Sequence, residues 1–340
     1  MNLNILAIES SCDETSVAVV RNGKEVLSNI VASQIDIHKE YGGVVPEIAS
    51  RHHIEIVMQV ITEALETADT KMTDVDAICV TQGPGLVGSL LVGVTAAKTL
   101  AYAYDKKLIA AHHIAGHIYS ANIDADIQYP SLALVVSGGH TELVLLKDEL
   151  TFEIIGQTQD DAVGEAYDKV ARQLELEYPG GPKVDALAKL GNDTYNLPRA
   201  MIESPDYNFS FSGMKSAVIN LIHNRKQRGE EIVKEDLAAS FQAAVMDILE
   251  VKTKKAIEDF GVKQLIVAGG VAGNGELRNR MTNLSSELGI ELLIPKMEYC
   301  SDNAAMMGAV GYYYHKHNLF TDPLTLNARS SISLEKIKSN

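Results

Sequence analysis

Apolar and polar residues follow one another in an order that occurs twice along the chain. Residues 4–8 form a largely apolar run, residues 9–15 (ESSCDET) a polar turn, and residues 16–20 resume strand character, which together predict a strand, a tight hairpin and a strand. Residues 24–33 read as a third strand. Residues 46–68 carry apolar side chains at helical spacing, with Ile48, Ile54, Val57, Ile61 and Leu65 as the expected buried stripe. A buried strand at 75–80 runs into the glycine-rich stretch 81–89, which opens a helix ending near Tyr104. Its small residues permit close backbone approach, either to a ligand at the helix start or to a neighbouring helix.

The same order returns in the second half. An apolar strand at 132–136, a small polar turn at 137–141 (SGGHT) and a strand at 142–146 are followed, after an irregular stretch, by a long helix at 234–260. A buried strand at 265–267 and a glycine turn at 268–274 complete the set. This predicts an α/β protein made of two duplicated units facing across a nucleotide cleft. The first unit is expected over 1–110, with a helix near 305–330 packing back onto it, and the second over 111–304 with an insertion near 178–232. Between the repeats lie four carboxylates at Asp160, Asp161, Glu165 and Asp168 and a sharp YPGGP break at 178–182.

Composition narrows the class. With 340 residues, 46% of them hydrophobic, the chain can bury two cores. The longest apolar runs are broken by Gly, Ser, Thr and Lys and no basic leader opens the sequence, so a cytoplasmic protein is expected. Three scattered cysteines argue against a disulfide framework. A net charge of −15 excludes bulk electrostatic binding of nucleic acid and leaves only local basic patches or a partner protein for that role. The candidates are residues 208–215, including Lys215, and the cluster Arg225, Lys226 and Arg228.

The chemistry-bearing residues are few. His113 and His117 sit four apart in a helical run, so their imidazoles share a face and can share a metal; a pair of ordinary core histidines has the same spacing. Asp302 at the start of a small-residue helix is either its cap or a third ligand. Asp13 and Glu14 at the hairpin tip could hold a cation or position a nucleophile, or satisfy only local hydrogen bonds. Asp168 and Asp185 could take a ribose or an amino-acid group, or be solvated helix charges. No Walker A spacing is present.

Ten stretches taken together, IESSCDETS, YGGVVPEIASRHH, GPGLVGSLLVG, HHIAGH, LVVSGGHTEL, GEAYDKVAR, YPGGPKVD, FSFSGMKSA, VAGGVAGN and SDNAA, resemble the TsaD (Gcp/YgjD) family over residues 3–330. The family lies within the superfamily of actin, the heat-shock ATPases and the sugar kinases (ASKHA), built from duplicated RNase H-like domains. The resemblance implies metal-assisted transfer of a threonylcarbamoyl group from threonylcarbamoyl-AMP to N6 of adenosine 37 in tRNAs reading ANN codons. By motif it implies His113, His117 and Asp302 as ligands of one divalent metal, Fe2+ or Zn2+. It implies Val136, Ser137, Gly138, Gly139, His140, Asp168, Gly181, Asp185 and Asn274 as the adenylate site, and Asp13 and Glu14 as the acidic pair tied to activity. Partners implied are the paralogue TsaB and the ATPase TsaE, with TsaC supplying the intermediate. Two positions depart from the family pattern: Ala115 stands where many relatives have Glu, and Lys107 where proline is common. A sugar kinase or non-catalytic nucleotide-binding scaffold of the same superfamily is the alternative. A zinc protease of the HExxH type lacks its base, since Ile114 follows the first histidine.

Overall fold

In a computed structural model, described over residues 2–339, the chain divides into two compact units. The first comprises residues 1–129, 146–153 and 295–340, and the second residues 130–145 and 154–294. The boundary expected at 110/111 thus falls at 129/130. The histidine segment clusters with the first unit because its helix packs on the helix that follows Asp302.

The first unit holds β1 (Asn4–Glu9), β2 (Glu14–Arg21), β3 (Glu25–Ser33), α1 (Ile35–Lys39), α2 (Pro46–Thr67), β4 (Ala77–Gly83), α3 (Val87–Ala103), β5 (Lys107–His112) and α4 (His113–Ser120). Its sheet runs in the order β3-β2-β1-β4-β5, with the β1–β2 and β2–β3 pairs antiparallel and the β1–β4 and β4–β5 pairs parallel. Leu6, Ile8, Val17 and Val19 on one face pack with Val57, Val60 and Ile61 of α2 and Val94 and Ala97 of α3. Ile54, expected in the buried stripe, is 66% exposed. The buried face of α2 runs instead through Ala49, His53, Val57, Val60, Ile61 and Ala64, about 100° away from Ile54 on the helix.

The second sheet contains β6 (Ser131–Val136), β7 (Thr141–Asp148), β8 (Thr151–Gln157), β9 (Gln264–Ala268) and β10 (Glu291–Leu293), in the order β10-β9-β6-β7-β8. Read by position this is the strand order of the first sheet again, and the β6–β9 and β9–β10 pairs are likewise parallel. Helices α5 (Val163–Gln173), α6 (Gly180–Ala188), α7 (Ser212–Gln227), α8 (Lys234–Phe260) and α9 (Gly275–Leu288) accompany it. Helices α10 (Met297–Cys300) and α11 (Ala304–Lys316) then return to the first unit. No helix among the described residues is long and apolar enough to cross a membrane.

Candidate metal centre and adenylate surface

The histidine segment is a strand that turns into a helix. β5 ends at His112, whose side chain caps α4 by accepting a hydrogen bond from the Ile114 amide at 3.1 Å. Its Nε2 lies 3.1 Å from the Ile332 carbonyl, which can only accept, so the proton sits on Nε2 and Nδ1 is free to cap. His113 is therefore the first helical residue and His117 lies one turn on, with ring centroids 4.7 Å apart. Opposite them, α11 begins after Asp302. Its cap is Asn303, which accepts from the Met306 amide at 3.1 Å, so Asp302 does no capping. Two further bonds, Ala304 N–H to Ser16 Oγ at 2.8 Å and Ala305 N–H to Asn29 Oδ1 at 3.2 Å, tie the start of α11 to the sheet. The helices approach so closely at Gly116 that a Cβ there would stand 2.5 Å from Met307 Sδ.

These constraints bring the three residues together. Asp302 Oδ1 lies 3.0 Å from His117 Nε2 and 3.5 Å from His113 Nε2, and one ligand atom from each of the three falls within 4.8 Å of the others. His117 is fully buried, yet neither of its ring nitrogens makes a hydrogen bond among the described residues. Leaving a buried nitrogen unsatisfied costs about 1–3 kcal/mol, and a divalent cation would remove that cost at Nε2. Two imidazoles and a carboxylate suit Zn2+ or Fe2+ and leave coordination positions open. The residues fit a metal.

Glu9, which the motif reading passed over, stands behind His113. It is fully buried; its Oε1 accepts from the Ser11 amide at 2.5 Å, and its Oε2 accepts from Thr81 Oγ1 at 2.5 Å and lies 3.2 Å from His113 Nδ1. Burial works to raise Glu9, but the His113 charge and hydrogen bond outweigh it and hold the carboxyl below its ordinary value. Burial likewise opposes the imidazolium of His113, and the charges of Asp302 and Glu9 overcome it to place that group at about 9. A signal was present in the sequence, a lone acid closing an otherwise apolar strand.

Asp13 and Glu14 follow on the same hairpin. The Asp13 carbonyl accepts from the Gln34 amide at 3.1 Å, and Glu14 Oε1 from Ser33 Oγ at 3.3 Å. Burial, then the Asp13 and Asp302 charges, push Glu14 well above the usual carboxylate range. The glycine stretch 81–89 turns out to pack rather than open: the Leu86 amide donates to the Ser11 carbonyl at 2.8 Å, and Ser10 Oγ donates to the Ser89 carbonyl at 2.9 Å.

The second unit gathers the remaining expected residues into one linked surface. In the turn after Val136, Ser137 N–H donates to the His140 carbonyl at 2.8 Å and His140 N–H to Ser137 Oγ at 3.1 Å. Side chains at Gly138 and Gly139 would meet nothing. The Gly164 amide of α5 reaches the Ser137 carbonyl at 3.2 Å, and Asp168, one turn further along α5, accepts from the Gly180 amide at 2.7 Å, next to Gly181. Asp185 on α6 accepts from Gln242 Nε2 at 3.2 Å and from Lys189 at 2.7 Å. Gln242 Oε1 in turn accepts from Asn274 Nδ2 at 3.0 Å and Tyr167 OH at 3.1 Å, so its amide orientation is fixed. Gln242 and Tyr167 are the second group the sequence reading missed. Asn274 also caps α9 through Oδ1, 3.0 Å from the Leu277 amide.

A duplicated α/β protein with this strand order has the fold of the actin, heat-shock ATPase and sugar-kinase class, here with a two-histidine–carboxylate cluster in one unit and a glycine-turn surface in the other. Solved structures agree on the fold: HypF from T. kodakarensis superposes with a TM-score of 0.62 at 16% identity, over 93% of this chain and 48% of that one. The (R)-2-hydroxyglutaryl-CoA dehydratase component A of Acidaminococcus fermentans superposes with a TM-score of 0.55 at 17% identity, over 93% and 99%. Residues 25–309 match the family "TsaD: tRNA N6-adenosine threonylcarbamoyltransferase". Proteins named tRNA N6-adenosine threonylcarbamoyltransferase from Staphylococcus carnosus and Staphylococcus haemolyticus are 57% and 56% identical, covering 97% and 98% of this chain and 96% and 97% of their own. The chain belongs to the TsaD family of tRNA N6-adenosine threonylcarbamoyltransferases.

Proposed function

We propose that the chain moves a threonylcarbamoyl group from threonylcarbamoyl-AMP to N6 of adenosine 37 in tRNAs reading ANN codons, with the adenylate held by the second unit and a divalent metal, iron or zinc, held by His113, His117 and Asp302. The observation that carries the metal half is the fully buried His117, whose Nε2 lies 3.0 Å from Asp302 Oδ1 with no well-aligned hydrogen bond, beside a second histidine whose Nε2 faces the same oxygen. A cation bound there supplies a Lewis acid for the carbonyl oxygen under attack.

The chain's own groups do the rest. The turn 137–140, Asp168, Gly181, Asp185 and Asn274 bind and orient the adenylate, so that the amine meets a fixed carbonyl carbon. As the N–C bond forms and the C–O bond to the phosphate breaks, AMP leaves and the amine gives up a proton. Asp13 or Glu14, adjacent on the hairpin, accepts that proton. TsaB and TsaE act as partners in the cytoplasm, and TsaC supplies the adenylate. Support for docking by a helical partner comes from Ile54 and Met58 of α2 and Val87 and Leu91 of α3, all exposed apolar side chains on two neighbouring helices.

The test is reconstitution. Purified chain, the partners, threonylcarbamoyl-AMP and tRNA should form the modified nucleoside, and Asp302→Ala should abolish it together with bound metal. Full turnover by a metal-free Asp302→Ala protein would sink the metal half of the reading.

A further inference from the structure

We infer that Glu9 is the positioning residue for His113, taking the hydrogen bond of its Nδ1–H so that Nε2 offers its lone pair on the side of Asp302. The inference rests on the metal reading above. The ring has two nitrogens and they face different partners: Nδ1 lies 3.2 Å from Glu9 Oε2, and Nε2 lies 3.5 Å from Asp302 Oδ1. Only the tautomer protonated at Nδ1 lets Nε2 ligate, and a carboxylate on Nδ1 both selects that tautomer and raises the basicity of the ligand.

Ser11 Oγ is equally near Nδ1, at 3.2 Å, but it is a neutral acceptor whereas Glu9 is a carboxylate. The carboxylate is itself held from two sides, by the Ser11 amide and the Thr81 hydroxyl, each at 2.5 Å. A buried charge costs several kcal/mol unless its partners compensate. The fold does not require one here: Ile8 pairs with Val80 in the first sheet and Val135 with Ala268 in the second, so the residue equivalent to Glu9 in the duplicate is Val136. His117 Nδ1, by contrast, has no hydrogen-bonded partner among the described residues, so the two histidines are unequal ligands.

The experiment titrates the full chain with Co2+, following its visible absorption and its competition with a chelator, with His117→Ala as the site control. Glu9→Gln should weaken Co2+ binding by roughly 10–100-fold without changing AMP affinity. Thr81→Val should weaken it by a smaller factor, and Thr81→Ser, which keeps the hydroxyl, should restore it. Wild-type affinity in Glu9→Gln, or equal weakening in Thr81→Val and Thr81→Ser, overturns the inference while leaving the metal site standing. Should Glu9→Gln fail to fold, nitrogen NMR of the zinc-loaded wild type decides: a proton on His113 Nδ1 supports the role and an unprotonated Nδ1 refutes it. A wild type that binds no Co2+ removes the metal reading and this inference together.

Discussion

Each unit sends its first strand into a four-residue turn, residues 10–13 in one and 137–140 in the other, and then into an antiparallel or adjacent second strand. At the last residue of that first strand the two have diverged completely. In the first unit Glu9 and Thr81 face each other across neighbouring strands and are joined by a 2.5 Å hydrogen bond. In the second the same two places hold Val136 and Gly269. Gly269 has φ +94°, and a Cβ on it would stand 2.4 Å from the Val136 carbonyl, so the backbone itself fills the space that a carboxylate and a hydroxyl fill in the first. The frame is common and the strand end decides the chemistry. One unit places a buried carboxylate there, 3.2 Å from His113, and the other fills it with backbone beside a glycine turn.

The sharpest way to break this comparison is His117→Ala. It should remove bound metal and lower turnover at least 100-fold, consistent with loss of a metal-borne electrostatic contribution, while AMP binding to the second unit stays within about twofold. Metal content by elemental analysis and AMP affinity by calorimetry check the two halves separately. A parallel loss of AMP affinity would show that the units do not divide the work.

The converse experiment acts on Asn274. Asn274→Leu removes both the Nδ2 donor to Gln242 and the cap of α9, and should weaken AMP binding by about 1–3 kcal/mol, roughly 5–150-fold, with metal content unchanged. Asn274→Asp keeps the capping oxygen but loses the donor, so it should retain the thermal stability that the leucine variant loses and still bind AMP poorly. Intact AMP affinity in the aspartate variant would make Asn274 a cap alone.

These expectations also mark what was legible in the chain. The strand and helix order, the duplication and α8 at 234–260 could be read from periodicity, because apolar runs and glycine turns are local signals. The His113–His117 pair was visible from i,i+4 spacing, but its third member lies 185 residues away, and Asp302 looked equally like a cap until Asn303 proved to hold that role. Glu9, Thr81, Gln242 and Tyr167 were not legible as site residues, since each matters only through a partner brought near by the tertiary fold. Ile54 misled for a related reason: an apolar residue beside a buried stripe looks like part of it, and only packing shows which face is covered.

A smaller effect separates the two hairpins by pH. Counting from the turns, Glu142 in β7 occupies the place of Thr15 in β2. Thr15 shares a 2.6 Å hydrogen bond with His53, whereas burial alone pushes Glu142 up to about 7. A carboxyl raised in the folded state contributes stability that is fully present below its unfolded value, near 4.5, and is lost as pH rises through about 7. The wild type should therefore lose on the order of 1–3 kcal/mol between pH 4.5 and 8 from this group, and Glu142→Gln should flatten that part of the profile. Urea midpoints at several pH values measure it; identical profiles for the two proteins would mean that Glu142 is solvated.

The smallest expected effect concerns the polyanionic substrate, and it asks whether the second unit carries that contact as well as the adenylate. The end of α7 bears Arg225, Lys226 and Arg228 in a chain of net charge −15. Arg225 is already engaged, 3.4 Å from Glu230 and over the Tyr195 ring at 5.1 Å, so reversing it would disturb the helix end before it disturbed tRNA. Lys226 and Arg228 are exposed and are the better probes, together with the half-buried Lys215 at the start of the same helix. Each reversal that removes one phosphate contact should reduce the slope of log affinity against log salt by about 0.7–0.9 and weaken binding a few-fold in moderate salt. AMP affinity and metal content should not move, because none of the three touches either cluster. An unchanged salt slope in the Lys226→Glu, Arg228→Glu double variant, measured with the partners present, would take the tRNA contact away from α7 and leave it to a partner surface.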